Sequence, residues 1–167
     1  MSTHVVVNTF THSVTYVTDK MLMSLKDIIR CSGLSPEKLT ADWKDLQRAI
    51  SAWLNSRDLE GVHLEVFNPR TNALIGRWDF NIYFGSAGDG DMWVNTDDIK
   101  YHIRKAGQWP SECDYRVILT TKPGRPDVAG WSKTTFRSTD GFVRQSLGTT
   151  IDGNSIRTGT AYWRKAT

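Results

Sequence analysis

The chain has 167 residues, 39% hydrophobic and 23% charged, with seven tryptophans, which suits one soluble domain with a sizeable core. No apolar run approaches the ~20 residues of a membrane span, and the opening MSTHVVVNTF lacks the basic stretch and long apolar core of a signal peptide, so a cytoplasmic protein without membrane contact is expected. The net charge of +3 is too small to name a partner by itself.

Residues 10–32 read as a helix. Val14, Val17, Met21, Leu25 and Ile28 recur at steps of three and four, with Leu22 and Ile29 widening the stripe. Thr9 or Thr11 can cap its start and Gly33 can stop it. The β-branched run Val14-Thr15-Tyr16-Val17-Thr18 weakens the first turns, which packing must then hold. A second helix opens at Ser35-Pro36-Glu37, with proline at the first helical position. Leu39, Trp43, Leu46, Ile50 and Trp53 mark its buried face.

The period then changes. Val62 to Val66 alternates as a strand, 68–72 is a turn, and Ala73 to Trp78 followed by Asp79 to Phe84 continues the sheet. Ser86 to Asp91 is a Gly/Asp loop. A third helix follows, capped by Asn95 or Thr96, favoured at its positive end by Asp97 and Asp98, and closed by Gly107 and Pro110. Tyr115 to Thr121 (YRVILTT) is the most strand-like run, and its apolarity predicts a central or near-central place. Beyond Lys122 the character shifts: KPGRPD breaks regularity, and 131–137 and 141–147 alternate weakly. The expected organisation is one domain, with a body over 10–121 and an extended β-type appendage too poor in apolar residues for its own core.

Catalytic chemistry finds little support. In FGSAGDGDMW (84–93), Ser86, Asp89 and Asp91 are too closely spaced for two-metal nucleotidyl transfer. Trp93 stands where a calcium loop needs an oxygen. His4, His12, His63 and His102 lack ligand or base partners in sequence, and read as surface or strand residues. Cys31 and Cys113 read as reduced thiols. No nucleophile or dinucleotide motif appears. The chain is therefore expected to be no enzyme, with no cofactor and no metal.

From Thr121 onward eight basic residues stand against three acidic ones, a surplus of five that leaves the preceding residues at −2. Such a tail suits an acidic partner or nucleic acid, or merely keeps itself soluble. Its aromatics and cations could stack on bases, but Trp131, Phe136 and Phe142 are spaced as buried anchors of a sheet, which makes nucleic acid the weaker reading. The ending GTTIDGNSIRTGTAYWRKAT has strand and hairpin chemistry without an apolar alternation long enough to fix one register. A segment that covers a sheet edge can also leave it, and the freed edge can bind an extended peptide by strand addition.

THSVTYVTDKMLMSLKDII (11–29), KPGRPDVAGWSKTTFRSTDGFVRQSLG (122–148) and AYWR (161–164) resemble the bacterial HORMA proteins of cGAS-like (CBASS) antiphage signalling operons. The resemblance implies an α+β HORMA fold over 1–167, with helices on a mostly antiparallel sheet and a C-terminal safety belt over 122–167. It implies a peptide-binding switch: the belt detaches, wraps a closure-motif peptide and re-pairs across the sheet. The closed form then activates a cGAS-like nucleotidyltransferase, and a Pch-type AAA+ ATPase reopens it. Some such operons add a second HORMA protein. On this pattern Tyr115, Val117, Leu119 and Thr121 form the peptide-receiving edge, and Phe80 to Phe84 receives the relocated belt. Phe142, Val143, Leu147, Ile151, Ile156, Tyr162 and Trp163 belong to the belt, with glycines 141, 148, 153 and 159 as bends. On the same pattern residues 1–9, with Val5, Val6 and Val7, are a candidate remodeller handle, with a frayed end or a short edge strand as the equal alternative. About nine residues before the first helix are too few for both handle and motif, so the chain is expected to receive a peptide rather than donate one. The competing expectation is a basic nucleic-acid-binding or scaffolding domain with a fixed C-terminal hairpin.

Overall fold

The computed structural model describes residues 9–85 and 91–166. The expected handle with Val5, Val6 and Val7, His4, and most of the Gly/Asp loop (86–90) lie outside the described residues.

Helix α1, Thr9–Cys31, buries the whole predicted stripe, with Val17, Met21, Leu22, Leu25, Ile28 and Ile29 fully inaccessible. It ends as foreseen at Gly33, whose φ of +93° lets the Leu34 amide reach back to the Ile29 carbonyl at 3.0 Å. The single second helix expected from 35 onward is two: α2, Glu37–Ala41, and α3, Trp43–Asn55. The break falls at Asp42, a poor helix former with φ −93° and ψ 4°. The Tyr115 hydroxyl accepts from the Leu39 amide (3.2 Å) and donates to the Ser35 carbonyl (2.8 Å). These bonds fix the direction of α2 independently of α3. Helix α4, Thr96–Ala106, is capped by Asn95, whose side chain accepts from the Asp98 amide at 3.1 Å.

The strands are β1, Leu59–Phe67; β2, Leu74–Phe84; β3, Trp93–Val94; β4, Asp114–Thr121; β5, Phe142–Asp152; and β6, Ile156–Lys165. They form one six-stranded sheet in the order β3-β5-β6-β2-β1-β4, antiparallel at every step. The class is α+β, as the sequence implies. Alternation divides the two faces. Val62, Leu64, Val66, Trp78, Phe80 and Tyr162 join the helices in one buried cluster. His63, Glu65, Arg77 and Asp79 share the opposite, outer face.

Two expectations change here. The run 115–121 is an edge strand, not a central one, since β4 pairs only with β1 among the described residues. Its apolarity has another cause: Val117 and Leu119 pack against the core while Ile118, on the outer face, is also buried. Nor are Trp131 and Phe136 anchors within a sheet, because 122–141 contains no strand. Trp131 meets Trp53 of α3 edge-on at 6.0 Å, and Phe136 lies 37% exposed over the outer face. Only Phe142 enters a strand, at the start of β5.

Candidate functional site

Residues 122–141 wrap the β4 edge from one face of the sheet to the other. The wrap begins on the helix side, where the Trp53 indole donates to the Pro126 carbonyl at 2.7 Å and Arg48 donates to the Ala129 carbonyl at 3.1 Å. It then turns onto the outer face. Arg116 donates there to Thr134 Oγ1 (2.9 Å) and to the Thr135 carbonyl (2.6 Å), while Phe136 stands edge-on to His63 at 4.9 Å. Between this strap and β4 runs a groove of about 950 Å³ lined by Arg116 to Thr121, Trp53 and Trp131. A recess of about 260 Å³ lined by Leu39, Leu46, Tyr115 and Val117 continues it. The groove thus follows a strand edge without a strand partner among the described residues, which is the geometry that an added extended segment requires.

Buried charge holds the strap down. Glu65 is fully inaccessible. It accepts from the Arg137 amide (2.8 Å), from Arg116 Nε (2.7 Å) and from Arg137 Nη1. Arg137 lies over the Phe67 ring at 3.7 Å and donates to the Asn72 carbonyl at 3.1 Å. Burial pushes the Glu65 carboxyl upward, but the Arg137 amide and the two guanidinium groups outweigh it and leave the acid below its ordinary range.

A second network spans four strands of the same face. Asp79 Oδ1 lies 2.6 Å from His63 Nδ1, and His63 Nε2 lies 2.9 Å from Thr120 Oγ1 on β4. Arg77 clamps Asp79 with two bonds, of 2.9 and 3.1 Å, and the Trp163 indole of β6 donates to Asp79 Oδ2 at 2.9 Å. Burial alone would raise the Asp79 carboxyl, but the bonds and charges of His63 and Arg77 bring it down to about 2. The groove strand and the C-terminal strand are thereby joined through β1 and β2.

The C-terminal hairpin is docked on β2. Strand β6 pairs with it from Arg77↔Trp163 to Phe84↔Ile156. Ile151, Ile156 and Tyr162 are buried. Tyr162 stacks on Trp78 at 4.7 Å, with its hydroxyl 3.1 Å from His102 Nδ1. The hairpin turn sits against α1: Ser13 donates to the Gly153 carbonyl, and a side chain at Gly153 would lie 2.6 Å from Val17 Cγ2. The register of β5 on β6 shifts twice, at Ser146/Gly148 and Thr149/Ile151, in keeping with the weak alternation read there.

The four residues expected on the edge lie together on β4 and line the two cavities, but Tyr115 is a buried anchor of α2 rather than an open position. Of the tail residues, Phe142, Leu147 and Trp163 are half-buried, and Val143 faces solvent at 47% exposure. Glu65, Asp79, Arg77 and Arg116 are not singled out by the sequence, where Arg137 stands only among the tail's cations and His63 reads as a surface or strand residue. One signal was available, because His63, Glu65, Arg77 and Asp79 all fall on the polar side of the β1 and β2 alternation. Among the described residues no group of acids, histidines and cysteines could hold a metal, and Cys31 and Cys113 are both free.

The family model described as bacterial HORMA domain 2 matches residues 1–166. No curated protein matches the sequence. Many solved chains share the fold, and three such structures match it at low sequence identity. A chain in the crystal structure of the mitotic checkpoint complex superposes with a TM-score of 0.76 at 11% identity, covering 93% of this chain and 99% of that one. Caenorhabditis elegans HTP-2, bound to the HIM-3 closure motif, gives 0.70 at 11% identity over 99% and 100%. The Escherichia coli MS115-1 CdnC:HORMA-deltaN complex contains a chain that gives 0.62 at 12% identity over 100% and 94%.

Proposed function

The chain belongs to the bacterial HORMA domain 2 family, and from that membership we propose that it is a peptide-binding switch seen here with its belt closed. In this reading a closure-motif peptide adds to the free edge of β4, the strap 122–141 holds it there, and the β5–β6 hairpin is the relocated part of the belt. The observation that carries it is the strap itself, which encircles an unpaired strand edge and is fastened to the far side of the sheet by Glu65. The similarly folded HTP-2 is bound to a closure motif, which supports peptide binding as the use of this fold.

The switch is proposed to be non-enzymatic. Its downstream partner is a cGAS-like nucleotidyltransferase, activated by the closed form in antiphage defence, a pairing supported by the CdnC:HORMA complex of E. coli. Burying Ile151, Ile156 and Tyr162 contributes roughly 1.5–3 kcal/mol each and roughly 4.5–9 kcal/mol together, a range that includes the ~5.5 kcal/mol that separates a mostly open from a mostly closed population. Undocking the hairpin therefore takes work, which suits reopening by a Pch-type AAA+ ATPase. Residues 1–9 are its proposed handle, and a second HORMA protein is a further proposed partner. The runner-up is a scaffolding domain with a permanently fixed hairpin, favoured by the uninterrupted pairing of β6 on β2.

Selection of displayed random peptides on the full chain, followed by hydrogen exchange, tests the proposal. A single enriched motif should protect the β4 amides that do not bond to β1. Failure to enrich any motif, or protection confined to another surface, would refute it. Deleting 140–167 should abolish capture.

A further inference from the structure

The lining of the groove is charged unevenly. Lys122 and Arg125 stand near the Thr121 end, and Lys133 stands toward the Arg116 end, next to Thr134, which accepts from Arg116, with Asp127 as the one carboxylate among the lining residues. Arg125 faces Asp127 at 3.4 Å and stacks over Trp53. Lys122 and Lys133 are exposed and have no carboxylate partner among the described residues. The opposite, Tyr115 end carries Lys38, Asp42 and Asp45. Lys38 is matched by Asp114 at 3.1 Å and Asp45 by Arg48 at 3.2 Å, which leaves the exposed Asp42 carboxylate. The groove along Arg116–Thr121 thus carries an unmatched lysine toward each end, while the unmatched Asp42 carboxylate lies in the adjoining recess. Its middle is apolar on the helix side, where Val117 and Leu119 face Trp53 and Trp131.

An added strand would run the length of Arg116–Thr121, about 20 Å at ~3.3 Å per residue, with alternate side chains turned to the helices. We propose that the groove selects an acidic, amphipathic peptide of about six residues. Apolar side chains at alternate positions enter the Val117/Leu119/Trp53/Trp131 slot, and an Asp or Glu lies beside Lys122 at one end and beside Lys133 toward the other. This rests on the peptide-binding reading above. A nucleic acid could meet the same cations, but it has no backbone ladder to pair with β4, and Trp53 is only 2% exposed and so offers no stacking platform.

The test selects a phage-displayed random peptide library on the full chain and on the full-length double variant Lys122→Glu/Lys133→Glu. Arg125 is left intact because it packs on Trp53. The expected motif on the unmodified chain has an invariant Asp or Glu toward each end. A synthetic copy should bind the double variant about fivefold more weakly or worse, given two lost surface pairs and their reversal, and the variant should instead enrich Lys or Arg at those positions. A motif without an acidic position, or equal affinity for the two proteins, overturns the charge assignment and leaves peptide binding standing. Absence of any enriched motif on the unmodified chain overturns both. Displacement of the synthetic peptide by a single-stranded DNA oligonucleotide at matched charge assigns the cations to nucleic acid and also overturns the proposal.

Discussion

Replacing Glu65 by Gln should loosen the strap without disturbing the core. Glu65 is fully inaccessible and accepts from the Arg137 amide at 2.8 Å, from Arg116 Nε at 2.7 Å, and from Arg137 Nη1. Glutamine keeps the volume, removes the charge and turns one acceptor into a donor facing a donor. Hydrogen bonds to a charged group are worth about 1.5–3 kcal/mol each, and removing one partner of a buried pair costs about 3–5 kcal/mol. The Arg116 and Arg137 side chains are 33% and 17% exposed and can recover some hydration, so we take about 2–3 kcal/mol. The loss falls on the strapped arrangement. Release of a bound fluorescent peptide, measured by chase with unlabelled peptide, should therefore accelerate roughly 30- to 150-fold. The exposed neighbour Glu60 provides the control, since Glu60→Gln should change nothing. Release from Glu65→Gln within about twofold of the unmodified rate, when tenfold corresponds to ~1.4 kcal/mol, would refute the latch.

Asp79 predicts an acid limb. Its folded carboxyl sits at about 2 against an ordinary 3.8, so it stabilises the fold above pH ~4 and loses that contribution as pH falls toward ~2, about 2 kcal/mol in all. Urea melts at pH ~5 and ~2.5 should show this slope, and Asp79→Asn should flatten it. Glu65 acts in the same direction, its strap bond being present above the ordinary carboxylate range and lost on acidification through its lowered value. Gly153→Val should destabilise the docked hairpin by about 1–3 kcal/mol through the clash with Val17, and hydrogen exchange should locate the loss in β5 and β6. Tyr162→Phe should cost about 1 kcal/mol by removing the bond to His102, against about 3–5 kcal/mol for Tyr162→Ala, measured by denaturant midpoints.

The helices and the body strands were legible because their signals are local. The apolar stripe of α1 and its glycine stop, the Asn95 cap and the alternation of β1 each lie within a dozen residues. The place of β4 was harder to read. An apolar run looks the same whether strands flank it or whether helices and a strap cover its two faces, and the latter buries Ile118 and half-buries Val117 and Leu119. The split of α2 from α3 depends on the Tyr115 hydroxyl, a partner 76 residues from Leu39. Glu65 and Arg137 are 72 residues apart, and no periodicity links an acid on the polar side of a strand to an arginine in an irregular segment. The tail's weak register was visible in the sequence, and the two shifts between β5 and β6 are its structural form.

The most direct test fixes the hairpin in place. Tyr83 and Arg157 are paired across β2 and β6 and are both exposed, and facing residues of an antiparallel pair are within reach of a disulfide. With Cys31 and Cys113 replaced by serine, Tyr83→Cys/Arg157→Cys should form a reversible lock. If the hairpin must undock to admit or free a peptide, oxidation before mixing should block capture. Oxidation after mixing should nearly abolish release, and reductant should restore both rates. Equal capture and release in the oxidised and reduced protein would mean that the groove fills while the hairpin stays fixed, and would contradict the switch.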